Sequence, residues 1–116
     1  MQKRQQETIW IFDLDDTLHN ASAHIFPVMN RNMTEYMMAH LALDEHDAHH
    51  LRQHYWHIYG ATLKGLVRHH GINPHHFLNS THAPLDLANM VLETKRLKNT
   101  LQRLSGRKLV FTNAPL

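Results

Sequence analysis

Two short apolar segments, at residues 8–12 and 108–112, constrain the fold of this chain more than any other feature. Each is rich in β-branched and aromatic residues and ends abruptly in polar residues, which is typical of a strand buried on both faces of a parallel sheet. Parallel strands need a crossover, and one helix is enough for it. The chain between the segments is much longer than that, so we expect an α/β protein in which residues 21–85 form an inserted helical subdomain.

The apolar residues between these segments recur at helical spacing. A first helix is predicted by the stripe Ile25, Met29, Met33, Met37 and Leu41. A second is expected to begin after the N-cap Asp44 and to end at Gly60, with its buried stripe at Ala48, Leu51, Tyr55 and Ile58.

Three further helices follow from the same kinds of signal. Leu63, Leu66 and Val67 predict a third helix that stops at Gly71. Asn73 and Pro74 are typical of an N-cap and a first helical residue. An amphipathic basic helix is predicted around Leu97, Leu101 and Leu104, and it ends at Gly106.

Composition excludes several classes of protein. The 116 residues contain no cysteine, which excludes a disulfide scaffold, a thiolate nucleophile and a cysteine-based zinc site. No apolar run approaches the roughly 18 residues of a transmembrane helix, and the polar N-terminus does not resemble a signal peptide, so we expect a cytoplasmic protein with no membrane partner. The net charge is only +2, and the basic residues after residue 94 predict a solvated helix face rather than a nucleic-acid surface.

Asp13 and Asp15 are the candidate catalytic residues. They follow the first predicted strand directly, and ligands of open α/β sheets bind outside the carboxyl ends of the strands. Two carboxylates this close repel each other, and a hard cation such as Mg²⁺ would relieve the repulsion. One carboxylate could then attack phosphorus while the other moves a proton. The alternative is an aspartate-rich turn in which these side chains only cap the backbone.

The sequence IFDLDDTL at residues 11–18 resembles the first motif of the haloacid dehalogenase-like hydrolase superfamily, and Phe111-Thr112-Asn113 resembles its second motif. The sequences YW at 55–56, YGATLKGL at 59–66 and HAPL at 82–85 resemble the helical cap of the pyrimidine 5′-nucleotidase branch. The resemblance implies a partial Rossmann-like parallel sheet core, of which two strands are present, at residues 1–20 and 86–116. It implies a helical cap at residues 21–85.

The resemblance also implies the roles of individual residues. Asp13 would be the nucleophile and a Mg²⁺ ligand, and Asp15 would be the acid and base, with its backbone carbonyl on the metal. Thr112 and Asn113 would hold the phosphoryl oxygens, and Thr17 would support the loop. The cap would choose the leaving group, and the residues we expect to set substrate specificity are Tyr59, Gly60, Thr62 and Gly65.

The third and fourth superfamily motifs, a lysine and an acidic pair, have no counterpart in the sequence. Only three residues follow the second motif, and no carboxylate follows Glu93. We therefore expect this chain to be the N-terminal part of a longer Mg²⁺-dependent phosphatase and to be inactive by itself. The expected substrate is a small phosphate monoester, preferably a nucleoside monophosphate, with a sugar phosphate or phosphoglycolate as the alternative.

The 13 histidines suggest a second class of function. His46, His50 and His54 lie at four-residue spacing, which could chelate Zn²⁺ or Ni²⁺, so a non-catalytic remnant or a histidine-rich module that binds metal or a partner is the alternative. We favour a solvated helix face. Gly65 within a helix costs about 1 kcal/mol relative to Ala, and it predicts close approach either to a substrate or to a second helix.

Overall fold

The computed structural model describes residues 6–90 and 94–112, so Asn113 of the expected phosphate site lies outside the described residues. The helices and strands, in chain order, are β1 (Ile9–Phe12), α1 (Ala21–His24), α2 (Phe26–Leu41), α3 (Glu45–Tyr59), α4 (Thr62–His70), α5 (Pro74–Thr81), α6 (Leu87–Met90), α7 (Lys95–Arg103) and β2 (Arg107–Val110). None of the helices in these ranges combines the length and the apolar character needed to cross a bilayer.

The two strands form a parallel sheet in which Ile9 lies opposite Arg107 and Phe12 lies opposite Val110. The prediction of adjacent parallel strands in a mixed α/β chain is confirmed, although β2 ends two residues earlier than predicted. Gly106 makes the pairing possible, since its φ is +110° and a Cβ there would lie 2.2 Å from the carbonyl oxygen of Thr8.

The strands are more exposed than the sequence predicts. Ile11 is 69% exposed and Val110 is 54% exposed, so the prediction of strands buried on both faces is wrong for the described residues. A parallel sheet buries its strands when neighbouring strands and helices cover its edges and faces. In the part of the chain that the structure describes, each strand has one strand neighbour.

The chain divides into two compact units. Unit 1 comprises Met1–His24 and Leu87–Leu116, and unit 2 comprises Ile25–Asp86. Unit 1 contains both strands with α1, α6 and α7, and unit 2 contains α2 to α5. The interpretation of these parts of the chain as hydrolase core and cap stays a prediction.

The helix ends in unit 2 lie where the sequence predicts them. The Asp44 carboxylate accepts a hydrogen bond from the Asp47 backbone N–H at 2.8 Å, which caps α3. The Asn73 side chain accepts one from the His76 backbone N–H at 3.1 Å and caps α5. Gly60 ends α3 with a φ of +74°, a conformation that favours glycine.

The core of unit 2 joins all four of its helices. Its buried residues are Met33, Tyr36, Met37, Ala48, Tyr55, Leu66 and Phe77. One predicted core position is wrong, because Ile58 is 56% exposed. The buried face of α3 contains Arg52 between Ala48 and Tyr55, so it is rotated away from Ile58.

Candidate active site

The loop after β1 folds back on the carboxylate of Asp13. One oxygen of Asp13, Oδ1, accepts a hydrogen bond from the Leu14 backbone N–H at 2.9 Å. The hydroxyl of Thr17 donates to the other oxygen, Oδ2, at 3.4 Å. The backbone N–H groups of Thr17 and Leu18 both donate to the Leu14 carbonyl, which closes the turn. Asp13 is exposed, so a ligand could reach its carboxylate.

Asp15 has a partner that the sequence analysis did not identify. Its Oδ1 lies 2.8 Å from Nε2 of His19, and the His19 side chain is only 7% exposed. The contact fixes the orientation of the Asp15 carboxyl group relative to the loop. The signal in the sequence is the four-residue spacing between Asp15 and His19, which brings two side chains together once the loop turns like a helix.

Asp16 stabilises the end of the loop. Its φ is +58°, and its two carboxylate oxygens accept hydrogen bonds from the backbone N–H of Ser22 at 2.8 Å and from the Ser22 hydroxyl at 2.5 Å. The Ser22 hydroxyl, more than any other group, lowers the pKa of Asp16 below its ordinary value. Asp16 is therefore engaged in holding the loop against α1.

The segment after β2, which contains Thr112 of the expected phosphate site, leaves the sheet at the same end as the loop that contains Asp13. Phe12 is paired with Val110, and the Phe111 backbone N–H donates to the Phe12 carbonyl at 2.8 Å. Asp13 follows Phe12 directly and Thr112 comes two residues after Val110, so both residues lie just beyond the carboxyl ends of the paired strands. This is the edge where parallel sheets bind ligands.

The donors in this loop suit a hard cation. Mg²⁺ is bound in proteins by one or two carboxylates and keeps several water ligands. The Asp13 carboxylate and the Asp15 backbone carbonyl are oxygen donors of that kind, so the residues present fit Mg²⁺ in chemistry. They do not form a group of three metal-binding side chains, and the one such group within the described residues is Asp44, His46 and Asp47 in unit 2.

An open cleft of about 610 Å³ lies in unit 1 beside this loop. Its lining is contributed by the second half of the loop, by α1 and by the start of α7: Asp16, Thr17, Leu18, His19, Asn20, Ser22, Thr94 and Leu97. Asp13 and Asp15 are not among the lining residues. The cleft therefore adjoins the two candidate catalytic carboxylates without enclosing them.

The four expected specificity residues lie in unit 2 in different environments. The Tyr59 hydroxyl is 2.5 Å from Nε2 of His69, and Gly60 is the exposed end of α3. Thr62 is buried and donates its hydroxyl to the Arg52 carbonyl at 3.0 Å. A Cβ on Gly65 would lie 2.2 Å from Cγ of Tyr55, which confirms close packing between α3 and α4. Tyr59 and Gly60 are the better placed of the four for contact with a ligand.

The histidines of α3 behave as the sequence predicts. His46, His50 and His54 are exposed on the helix, and the rings of His46 and His50 have centroids 4.5 Å apart. His46 also contacts Asp47 at 3.3 Å, and both residues belong to the metal-compatible group at the start of α3. Exposed groups of this kind are common on protein surfaces, so a solvated face remains the simpler interpretation.

Comparison with known proteins gives distant similarity and no family. No protein-family model matches the chain. The chain is 25% identical over 117 aligned residues to Phosphate metabolism protein 8 of Saccharomyces cerevisiae. The alignment covers 91% of this chain but only 36% of the yeast protein, so the chain spans about a third of the length of this curated relative.

Proposed function

We propose that this sequence carries the nucleophile loop of a Mg²⁺-dependent phosphomonoester hydrolase similar to the haloacid dehalogenase-like superfamily. The observation that carries the proposal is the placement of Asp13, Asp15 and Thr112 at one edge of a parallel sheet. The name of the yeast relative, which refers to phosphate metabolism, supports the same chemistry. The lysine and the acidic pair of the superfamily would have to come from further sequence, so the proposal concerns a longer polypeptide.

In this mechanism Asp13 attacks the phosphorus atom, and the bond from phosphorus to the ester oxygen breaks as the new bond to the Asp13 oxygen forms. Asp15 gives its proton to the leaving ester oxygen and then removes a proton from the water that hydrolyses the aspartyl-phosphate. His19 is a positioning residue, because its contact at 2.8 Å orients the Asp15 carboxyl group. Mg²⁺, when bound, would neutralise negative charge on the phosphoryl group.

The preferred substrate in this proposal is a pyrimidine nucleoside monophosphate, and the site of action is the cytoplasm. Tyr59 could stack on a planar base, since aromatic rings combine a large apolar surface with a polar hydroxyl. Packing already accounts for Thr62 and Gly65, which weakens their assignment to substrate selection. A sugar phosphate or phosphoglycolate is the alternative substrate within the same chemistry, and a non-catalytic histidine-rich module is the alternative of another class.

The first test replaces the nucleophile. In a polypeptide that also contains the third and fourth motifs, Asp13→Asn should reduce turnover to less than about a hundredth, because loss of a nucleophile costs far more than loss of an orienting contact. The Asp47→Asn variant makes the same chemical change in unit 2 and should keep wild-type turnover. Residual activity of Asp13→Asn above that level, or robust turnover by the 116-residue chain alone, would contradict the proposal.

The second test ranks substrates. A panel of nucleoside monophosphates and sugar phosphates, assayed with Mg²⁺ on the same polypeptide, should give the highest kcat/KM for UMP and CMP. Tyr59→Leu should lower kcat/KM for these nucleotides and leave the values for sugar phosphates nearly unchanged. If sugar phosphates lead the ranking, the nucleotidase assignment fails while the hydrolase assignment survives.

A further inference from the structure

Arg52 in α3 is a charged residue with the burial of a core residue. It is 9% exposed, and among the described residues it is the one charged side chain that reaches this degree of burial. Burial lowers its pKa from the ordinary value, since a charged guanidinium is less stable away from water. A buried charge is usually stabilised by an ionic partner or a ligand.

The side-chain partners of Arg52 among the described residues are a hydroxyl and an imidazole, not a carboxylate. Its Nε donates to the Thr34 hydroxyl at 3.2 Å, and its Nη2 lies 3.1 Å from Nδ1 of His49. In the described ranges 6–90 and 94–112, no carboxylate lies within 4.0 Å of the guanidinium, and Nη1 takes part in none of its hydrogen bonds. Both N–H groups of Nη1 and one N–H group of Nη2 are therefore left for another acceptor.

Arg52 lies at a cleft of about 1000 Å³ within unit 2, to which α2 and the start of α3 contribute. The residues lining it include Arg31, Thr34, Glu35, Asp44, Glu45 and His49. The carboxylates among them are exposed, and two already have partners: Glu35 contacts Arg31 at 3.1 Å, and Asp44 caps α3. They line the same cleft and do not contact the guanidinium, whose unpaired Nη1 is accessible to solvent.

We propose that this α2–α3 cleft binds a small molecule carrying one oxyanion group, a carboxylate or a phosphate, through Arg52. A guanidinium presents paired N–H donors that match the oxygens of both groups. The acidic residues of the cleft repel a ligand more strongly as its negative charge grows, which favours a single oxyanion group over nucleic acids and polyphosphates. The proposal rests on Arg52 and its surroundings and does not depend on the hydrolase chemistry of Asp13.

The test is an NMR titration of the ¹⁵N-labelled 116-residue chain at constant ionic strength. Sodium phosphate and sodium acetate are added in separate experiments, with sodium chloride as the reference, and the Arg52 Nε–H resonance is followed. At least one of the two oxyanions should give a saturable shift, and the tighter of them identifies the ligand group. Equal, unsaturated shifts with all three salts would overturn the proposal.

The variants separate a binding role from a structural one. Arg52→Lys keeps the charge but loses the paired donors, so it should weaken binding about tenfold or more, measured from the Thr34 amide shift. Lys64→Gln, which removes a charge at an exposed position of α4 outside the cleft, should change the affinity less than about threefold. Unchanged affinity in Arg52→Lys would overturn the proposal. If that variant does not fold, Thr34→Val decides: it removes the hydroxyl that orients the guanidinium through Nε and should also weaken binding, and unchanged affinity would again be contradictory.

Discussion

Replacement of Gly65 by alanine tests the packing of unit 2 most directly. In an ordinary helix this change would stabilise the protein by up to about 1 kcal/mol, because alanine has the higher helix propensity. In α4 the added methyl group would lie 2.2 Å from Cγ and 2.6 Å from both Cδ atoms of Tyr55. These separations are far below van der Waals contact, so either the ring or the helix must move.

The Tyr55 ring has little freedom to move. It is 7% exposed, its hydroxyl lies 2.7 Å from Nε2 of His70, and it belongs to the core cluster with Leu66 and Phe77. Overpacking of a buried site costs about 1–3 kcal/mol, and three such short separations to a ring with little freedom place this site in the upper part of that range, about 2–3 kcal/mol. After subtraction of the propensity gain, we expect Gly65→Ala to lower the free energy of unfolding by about 1–2 kcal/mol.

The assay is urea unfolding followed by circular dichroism at 222 nm, where the midpoint should fall by about 0.5–1 M for an m-value of about 2 kcal/mol/M. Lys64→Ala, at the exposed neighbouring position of α4, is the matched control and should leave the midpoint nearly unchanged. The cost of Gly65→Ala should shrink in a Tyr55→Leu background, because the smaller side chain removes the clash. An unchanged or increased midpoint for Gly65→Ala would refute the reasoning.

Two further predictions concern unit 2. Asp44→Ala should lower the free energy of unfolding by about 1 kcal/mol through loss of the α3 cap, whereas Asp47→Asn, which keeps the donating N–H, should change it much less in the same urea assay. Burial lowers the pKa of His82, so below about pH 6.5 the unfolded chain takes up a proton that the folded chain resists, and stability falls as the pH decreases. His82→Gln should make the unfolding midpoint less dependent on pH between about 7 and 5, and an equal dependence in variant and wild type would contradict this.

The features predicted correctly from the sequence are those fixed by neighbouring residues. Asp44 and Asn73 cap helices because each side chain accepts a hydrogen bond from the backbone N–H three residues further along the chain. Such a contact needs no partner from a distant part of the sequence. Gly60 and Gly71 end helices because their φ values are positive. The parallel pairing of the strands also followed, since a helical crossover between two apolar segments leaves few alternatives.

The features that were wrong or missed depend on partners far away in sequence. Periodicity alone could not decide whether α3 buries Ile58 or Arg52, because the two faces differ by a small rotation and Thr34 of α2 provides the polar partner. The exposure of Ile11 depends on which strands and helices surround it. His19 was missed because its role depends on the turn of the loop after Asp15.

Contacts with tyrosines give three of the histidines a structural role in helix packing. All three tyrosines of the chain lie in unit 2, and each hydroxyl contacts a histidine nitrogen: Tyr36 with Nδ1 of His76, Tyr55 with Nε2 of His70, and Tyr59 with Nε2 of His69. Burial raises the pKa of Tyr36 and Tyr55 above the ordinary value, so these hydroxyls stay protonated at neutral pH. The contacts join α2 to α5 and α3 to α4. A metal ion would have to compete with them for those nitrogens, so this part of the histidine content is explained by helix packing and does not support a metal-binding module.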